Sequence, residues 1–487
     1  MLLEPLLRNA QAAPDRVAVV DDAKSYTNRA LLETAAALGG AIAAATQKSA
    51  VGILLPACGG FVGAFYGALL AGKTAVPINF LLGPREIGHI LTDSGIDTVV
   101  SAPPLAAKLE GLPIKVLDLS QLDPTKAAPI TQPPAAKPGD LAVLLYTSGT
   151  SGLPKGVCLT YGNLHEDVRA CIAHADLKDE HKFLGIVPLF HSTGMLATML
   201  VPVGLGATAV YIARFSPVAT IKAVREHGIS VLVGVPSMYG ALLRLKDASP
   251  ADFAQLFVAI SGGEPLPSTI REAFLARFGK PINEGYGLTE TIGPVCFNHP
   301  GAAQPGSVGR PIPGAEIRIE GDDGNAVAQG GTGEVLLRGP MIMKGYHNLP
   351  AETAAAITPE KFFRTGDLGH VDADGFLHIT GRKKDLIIVS GEKVYPREVE
   401  ECLLTHPAVA EAAVVSRPDE SRGEAVVAFL VPKPDHEITA EAIKKHCRDA
   451  GMIGWKIPKD VHVVNDLPRS PTGKVLKREL AARVREG

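Results

Sequence analysis

Hydrophobic and polar positions follow one rhythm over the first 260 residues. Short, largely apolar runs recur at 51–55 (VGILL), 74–79 (TAVPIN), 97–102 (DTVVSA), 141–147 (LAVLLYT), 182–190 (KFLGIVPLF), 208–213 (TAVYIA), 231–236 (VLVGVP) and 256–263 (LFVAISGG), with helix-length segments between them. Runs that are apolar on both faces suit parallel strands covered by helices on both sides. Their alternation predicts an α/β fold with helix-covered parallel sheets. The proline-rich stretch 123–138 (DPTKAAPITQPPAAKP) reads as an extended connector, which makes two sheets of the runs before and after it.

From about residue 307 the texture shifts to short strands with turn signals (GDDGNAV, GGTGEV, DADGFL), a β-rich subdomain. After GRKKD at 381–385 the remaining chain has its own mixed strands (AAVVS, AVVAFLV, DVHVVND) and helices (PREVEECLLTH, TAEAIKKHCRDA). The expected organisation is a large N-terminal domain, 1–384, and a small α+β C-terminal domain, 386–487.

Length agrees, since 487 residues exceed what one core organises. Two uncharged stretches, 51–72 and 183–213 (uncharged apart from His191), are long enough to span a bilayer. Each breaks at Pro or Gly into a strand, a helix-length segment and a second strand, so both read as buried β-α-β units. The start, MLLEPLLRNAQAAPDR, places Glu4, Pro5 and Arg8 inside its apolar stretch and reads as an amphipathic helix rather than a secretory signal. Six scattered cysteines (Cys58, Cys158, Cys171, Cys296, Cys402, Cys447) without ligand spacing suit free thiols in a reducing cytoplasm. A net charge of −3, without basic runs and with 5% aromatics, argues against a nucleic-acid surface.

One loop changes the picture. In YTSGTSGLPKGV, 146–157, an apolar strand leads into three glycines, several hydroxyl side chains and Lys155. Backbone N–H groups freed by glycine, hydroxyl donors and an ammonium make a phosphate cradle. It is not the G-x-x-x-x-G-K-[ST] loop, because five residues after Gly149 stands Pro154.

TSGTSGLPKG closely resembles the signature of the adenylate-forming superfamily, which holds acyl-CoA synthetases, peptide-synthetase adenylation domains and luciferases. Further matches follow in the family's order: NEGYGLTET at 283–291, RTGD at 364–367, GRKKDLIIVSGEKVYPREVE at 381–400 and LPRSPTGKVLKREL at 467–480. The resemblance implies that Thr147, Ser148, Gly149, Thr150, Ser151 and Lys155 cradle the phosphates of ATP. It likewise implies that Tyr286 stacks on adenine, Gly287 and the backbone of Gly262, Gly263 and Glu264 line the adenine pocket, Thr289 contacts the α-phosphate, and Glu290 helps hold Mg²⁺. An aromatic face suits a purine, and a carboxylate beside a triphosphate is tolerable with a cation between them.

Asp367 would accept both ribose hydroxyls, as two acceptor oxygens suit a vicinal diol, with Arg382 near ribose and phosphate. Asp385 matches a hinge about which a mobile C-terminal cap turns between two half-reactions, the active site lying between cap and main domain. Lys474 matches the catalytic lysine that bridges the acid's carboxylate and the α-phosphate. His191, in PLFHSTG, borders that carboxylate, and Gly391, in Val389-Ser390-Gly391, lines the pantetheine tunnel for coenzyme A.

The expected activity is AMP-forming acid–thiol ligation: acid and ATP give acyl-adenylate and pyrophosphate, and coenzyme A then displaces AMP. The stretches 234–243 (GVPSMYGALL) and 292–297 (IGPVCF), uncharged and apolar, are the expected acyl wall, pointing to a medium- or long-chain fatty acid or a simple aryl acid. A stand-alone enzyme that loads a carrier protein shares every motif and stays open as the alternative, as do monomer and homodimer. A luciferase shares the motifs as well, while intact Lys155, Glu290, Asp367 and Lys474 argue against an inactive relative.

Overall fold

The apolar runs become strands because parallel pairing buries both of their faces. In the computed structural model, which describes residues 1–487 apart from 104, 122–128, 131, 148–152, 470–474 and 487, the strand limits fall within a few residues of those predicted. Leu141–Thr147 matches fully; KFLGIVPLF shortens to Lys182–Gly185, since Pro188 lacks the N–H a ladder needs.

The stretch 51–72 folds as strand Ala50–Leu54 and helix Gly59–Leu70, whose side chains are nearly all buried within the protein. Residues 183–213 likewise form strand, short helical turns and strand. Among the described residues no helix is long and apolar enough to cross a membrane. The N-terminal amphipathic pattern is realised as helix Leu3–Ala12, which buries Leu3 and Leu6.

Four sheets form among the described residues. In the nine-stranded sheet, Ile282–Gly287, Val258–Ser261, Val231–Gly234, Lys182–Gly185, Thr208–Tyr211 and Val17–Val20 lie side by side in parallel. The seven-stranded sheet has Leu141–Thr147, Thr74–Pro77, Ala50–Leu54, Thr98–Ser101 and Lys115–Asp118 in parallel. Antiparallel strands close the edges, and these matter for function. Lys155–Thr160 folds back on Leu141–Thr147 with Thr147 opposite Lys155, so the strands that flank the hydroxyl-rich segment pair with each other. Pro294–Phe297 folds back on Ile282–Gly287. The β-rich region appears as a four-stranded sheet from Glu316–Glu320, Gly333–Arg338, Phe363–Val371 and Leu377–Arg382.

The chain divides into two compact units. One comprises Met1–Leu266, Ala273–Ile317 and Leu337–Phe363; the other comprises Pro267–Glu272, Arg318–Leu336 and Arg364–Gly487. In the second, strands Val409–Asp419 and Gly423–Pro432 anchor a sheet with a core on each face. Helices Pro396–Leu404 and Ala440–Asp449 cover one face through Val399, Leu403, Ile443 and Cys447. The last helix, Lys477–Glu486, packs on the other through Leu480, against Val415, Val427 and Phe429.

Leu480 is fully buried and closes the chain directly after the segment that carries Lys474. Leu480→Ala is expected to remove about 2–5 kcal/mol of stability, as buried leucine truncations do, read as a lower urea midpoint.

Candidate active site

The tight hairpin Ile282–Gly287/Pro294–Phe297 carries the first constellation. Tyr286 pairs with Cys296 and Gly287 with Pro294, and the turn between them holds Thr289 and Glu290 on a single 3₁₀ turn, Thr289–Thr291. The turn is closed by Thr291: its hydroxyl oxygen accepts from Leu288 N–H at 2.8 Å and faces the Gly293 carbonyl at 2.9 Å. A Cβ on Gly287 would lie 1.9 Å from the Gly293 carbonyl oxygen, so only glycine permits the closure.

The next residue, Ile292, is buried with φ 69° and ψ −56°, and Gly293 N–H donates to Thr291 C=O at 2.8 Å. That is a γ-turn of the rare positive-φ kind, at a β-branched residue, and costs on the order of 1–3 kcal/mol.

Glu290 is tied to the strand pair that carries Lys155. Its backbone carbonyl accepts from Met343 N–H at 2.8 Å, and its Oε1 accepts from the Tyr346 hydroxyl at 2.8 Å. Strand Gly345–Tyr346 pairs in turn with Lys155–Thr160. The Lys155 ammonium stands 5.6 Å from the Tyr346 ring centroid and pairs with Glu352. Burial, reinforced by Glu290, pushes the Tyr346 hydroxyl far up, so it stays a donor. The hairpin is braced from helix Pro84–Ser94, where Tyr146 OH donates to Asp93 at 2.6 Å and His89 Nε2 meets Pro154 C=O at 2.9 Å. Lys155 and Glu290, distant in sequence, thus meet through Tyr346: an ammonium and a carboxylate at two sides of one polar patch.

An apolar cavity opens beside this turn, with ≈ 820 Å³ of atom-free space, part of it open to solvent. Gly262, Gly263, Gly287 and Leu288 stand in its wall, together with Gly293, Pro294 and Phe297 from the expected acyl wall. Residues 234–243 contribute none of its lining. Tyr239 explains why: fully buried, it donates to Ile260 C=O at 2.7 Å and packs edge-on against Phe274, holding that segment in the core. Strand residues Phe183, Val231, Val233 and Ile260 supply the wall instead.

Among the described residues no Lys, Arg, Asp or Glu lines the cavity. Its one imidazole, His174, gives Nε2–H to Phe297 C=O at 2.8 Å, and burial holds its pKa below the usual histidine value. His191 is not in the lining. It precedes helix Ser192–Met195, whose first residues, Ser192 and Thr193, are.

The second compact unit holds Asp367 and Arg382 as cross-strand partners, Arg382 Nε donating to Asp367 Oδ1 at 2.9 Å. Asp367 N–H is fixed by Thr365 Oγ1 at 3.0 Å, and Arg364 pairs with Glu320 at 2.6 Å. Asp385 ends a 3₁₀ turn, Lys383–Asp385, and chain on either side of it is joined by Arg397 Nη1 donating to Ile379 C=O at 2.7 Å. Gly391 has φ 87°, so glycine is demanded there by the backbone alone.

Ser148, Gly149, Thr150, Ser151 and Lys474 lie outside the described residues. Tyr346, Glu352 and Asp93 escaped the sequence reading. Each is an ordinary polar residue in its local segment, and only the folded-back strands reveal its partner.

Comparison with known proteins accords with this arrangement. The model of the AMP-binding enzyme family matches residues 6–347, and that of the AMP-binding enzyme C-terminal domain matches 398–474. A long-chain-fatty-acid–CoA ligase of Bacillus subtilis is 32% identical, over 98% of this chain and 94% of its own. A sulfoacetate–CoA ligase of Cupriavidus necator is 36% identical, over 94% and 93%. The o-succinylbenzoate-CoA synthetase of Bacillus subtilis, solved with its acyl-adenylate intermediate, superposes with a TM-score of 0.90 at 30% identity, covering 98% of this chain and 97% of that one.

Removing the Tyr346 hydroxyl takes away a hydrogen bond to a carboxylate, which contributes about 1.5–3 kcal/mol. Tyr346→Phe is expected to raise the KM for Mg·ATP and to leave the KM for the acid within about twofold, measured by pyrophosphate release. The chain belongs to the AMP-binding enzyme family, within the adenylate-forming superfamily of AMP-forming acyl-CoA synthetases.

Proposed function

We propose that this AMP-forming acyl-CoA synthetase takes a medium- or long-chain aliphatic acid, or a simple aryl acid. The observation that carries the reading is the cavity beside the Thr289–Glu290 turn, apolar and without a charged side chain in its lining. A second charge on the acid, such as the sulfonate of a sulfoacetate, would need a buried counter-charge there. A hydrocarbon tail or ring gains about 0.8 kcal/mol for each methylene it buries. Across a panel of straight-chain, aryl, amino and dicarboxylic acids, kcat/KM is expected to rise with chain length until the cavity is filled. Preference for malonate, sulfoacetate or an amino acid would overturn the assignment.

The residues divide the first half-reaction among them. Lys155 and the donors of its hairpin hold phosphate charge, Tyr286 offers its ring to adenine, and Asp367 with Arg382 serves the ribose. Glu290 suits a magnesium ion shared with the triphosphate, which would neutralise charge there. The acid's carboxylate and the α-phosphate would be served by Thr289, His191 and Lys474, as their matches to the family's motifs imply. Two anions must meet there, and positioned donors with an ammonium offset their repulsion. Coenzyme A then enters past Gly391 and its thiol displaces AMP. We place this chemistry in the cytoplasm, with free coenzyme A rather than a carrier protein as the acceptor.

Lys474→Ala is expected to suppress pyrophosphate release strongly while thioester formation from supplied acyl-AMP survives; equal loss in both would remove Lys474 from the first step.

We further infer that residues 386–487 move as a cap about Asp385 between the half-reactions. Proline at 385 fixes φ and pushes Lys384 out of the helical region that its 3₁₀ turn requires. Asp385→Pro is therefore expected to uncouple the steps in single-turnover assays, one persisting while the other collapses. Proportional loss of both, or of neither, would make residue 385 an ordinary linker.

A further inference from the structure

Helix Tyr161–His174 runs along the acyl cavity, and Cys171 and His174 on its inner face line it. On the same helix Asp167 is fully buried. Its Oδ1 accepts from the Cys171 thiol at 3.6 Å, while its Oδ2 has no hydrogen-bond partner. A carboxyl in this setting is costly, and burial drives its pKa well above the usual carboxylate range, favouring the neutral acid. Neither the nucleotide chemistry nor the capture of the acid's carboxylate uses it.

The partnerless oxygen faces the strained turn. A Cβ placed on Gly293 would sit 3.0 Å from Asp167 Oδ2 and 2.0 Å from Leu196 Cδ2, so carboxyl, leucine and turn are in close contact. The Gly293 N–H is donated to Thr291 C=O at 2.8 Å, yet it lies near enough to the Asp167 carboxyl to oppose the rise in its pKa. This N–H therefore stands between two acceptors. The one it reaches closes the γ-turn at Ile292; the other lies on the helix behind. The turn has Thr289 and Glu290 on one side and the cavity-lining Gly293 and Pro294 on the other.

We propose that Asp167 is a positioning residue that props the Ile292 turn from behind and so fixes the acid-facing wall, Gly293–Pro294, relative to Thr289 and Glu290. Strain at a buried β-branched residue persists only where the surroundings over-determine it, and Asp167, Leu196 and Thr291 are those surroundings. Asparagine keeps an uncharged carbonyl oxygen of the same reach, whereas alanine leaves a void beside the turn.

The test uses the full-length enzyme and the acid with the highest kcat/KM for the wild type, whichever class it belongs to, so failure of the proposed acid class leaves this test intact. Rates are normalised to active sites by single-turnover pyrophosphate release. Asp167→Ala is expected to raise the KM for both the acid and Mg·ATP by about tenfold or more, and Asp167→Asn by less than about threefold. Glycine adopts positive φ without strain, so in an Ile292→Gly background the penalty of Asp167→Ala should shrink, a coupling that a double-mutant cycle reads directly.

A purely structural role would lower the melting temperature and the fraction of active enzyme and leave both KM values unmoved; that result, or an undiminished penalty in the Ile292→Gly background, overturns the proposal. Equal damage by Asp167→Asn and Asp167→Ala overturns it as well. Should the alanine variant fail to fold, Asp167→Ser, which also leaves the space beside the turn unfilled, carries the same reading.

Discussion

Gly287 approaches the backbone of Gly293 so closely that it has no room for a side chain. The placement of Thr289 and Glu290 depends on that closure. It brings Tyr286, Thr289 and Glu290 onto one short stretch, and it turns the outgoing strand so that Gly293, Pro294 and Phe297 face the apolar cavity. The groups proposed to face the nucleotide and those lining the cavity are thereby built on a single hairpin, with a distance set by covalent geometry rather than by packing alone. An enzyme that joins a carboxylate to an α-phosphate has to control just that distance.

Electrostatics follows from the same arrangement. Glu290 and Lys155 carry opposite charges and come from different sheets, yet Tyr346 touches both, donating to one and presenting its ring to the other. The carboxylate and the ammonium do not pair with each other: Glu290 accepts from the Tyr346 hydroxyl, and Lys155 pairs with Glu352. The cavity next door has no charged side chain among its described lining residues, so the two faces of one turn present a polar patch and an apolar one.

The sequence made the parallel strands legible because burial on both faces leaves uninterrupted apolar runs. It made the loop 146–157 legible because glycine, hydroxyls and lysine rarely gather behind such a strand by chance. The edge strands Lys155–Thr160 and Gly345–Tyr346 were not legible. The first opens on Lys155 and Gly156 with no alternation of polar and apolar positions, and the second is only two residues long, so their pattern is weak, and with them went Tyr346 and Glu352. The acyl wall was half legible. From 292–297, Gly293, Pro294 and Phe297 face the cavity, whereas the equally apolar 234–243 turn inward around Tyr239, a choice that composition does not reveal. Asp167 was invisible for a related reason: an acidic residue in YGNLHEDVRACIAH reads as the solvent side of a helix, and only the packed structure shows it buried.

Oxygen-18 in the acid's carboxylate tests the account most directly. If the carboxylate attacks the α-phosphate, one labelled oxygen should appear in AMP for each thioester formed, with pyrophosphate unlabelled. Label in orthophosphate, accompanied by ADP, would mean that the acid is activated as an acyl phosphate, and the roles given to Thr289, Glu290 and Lys474 would fall together.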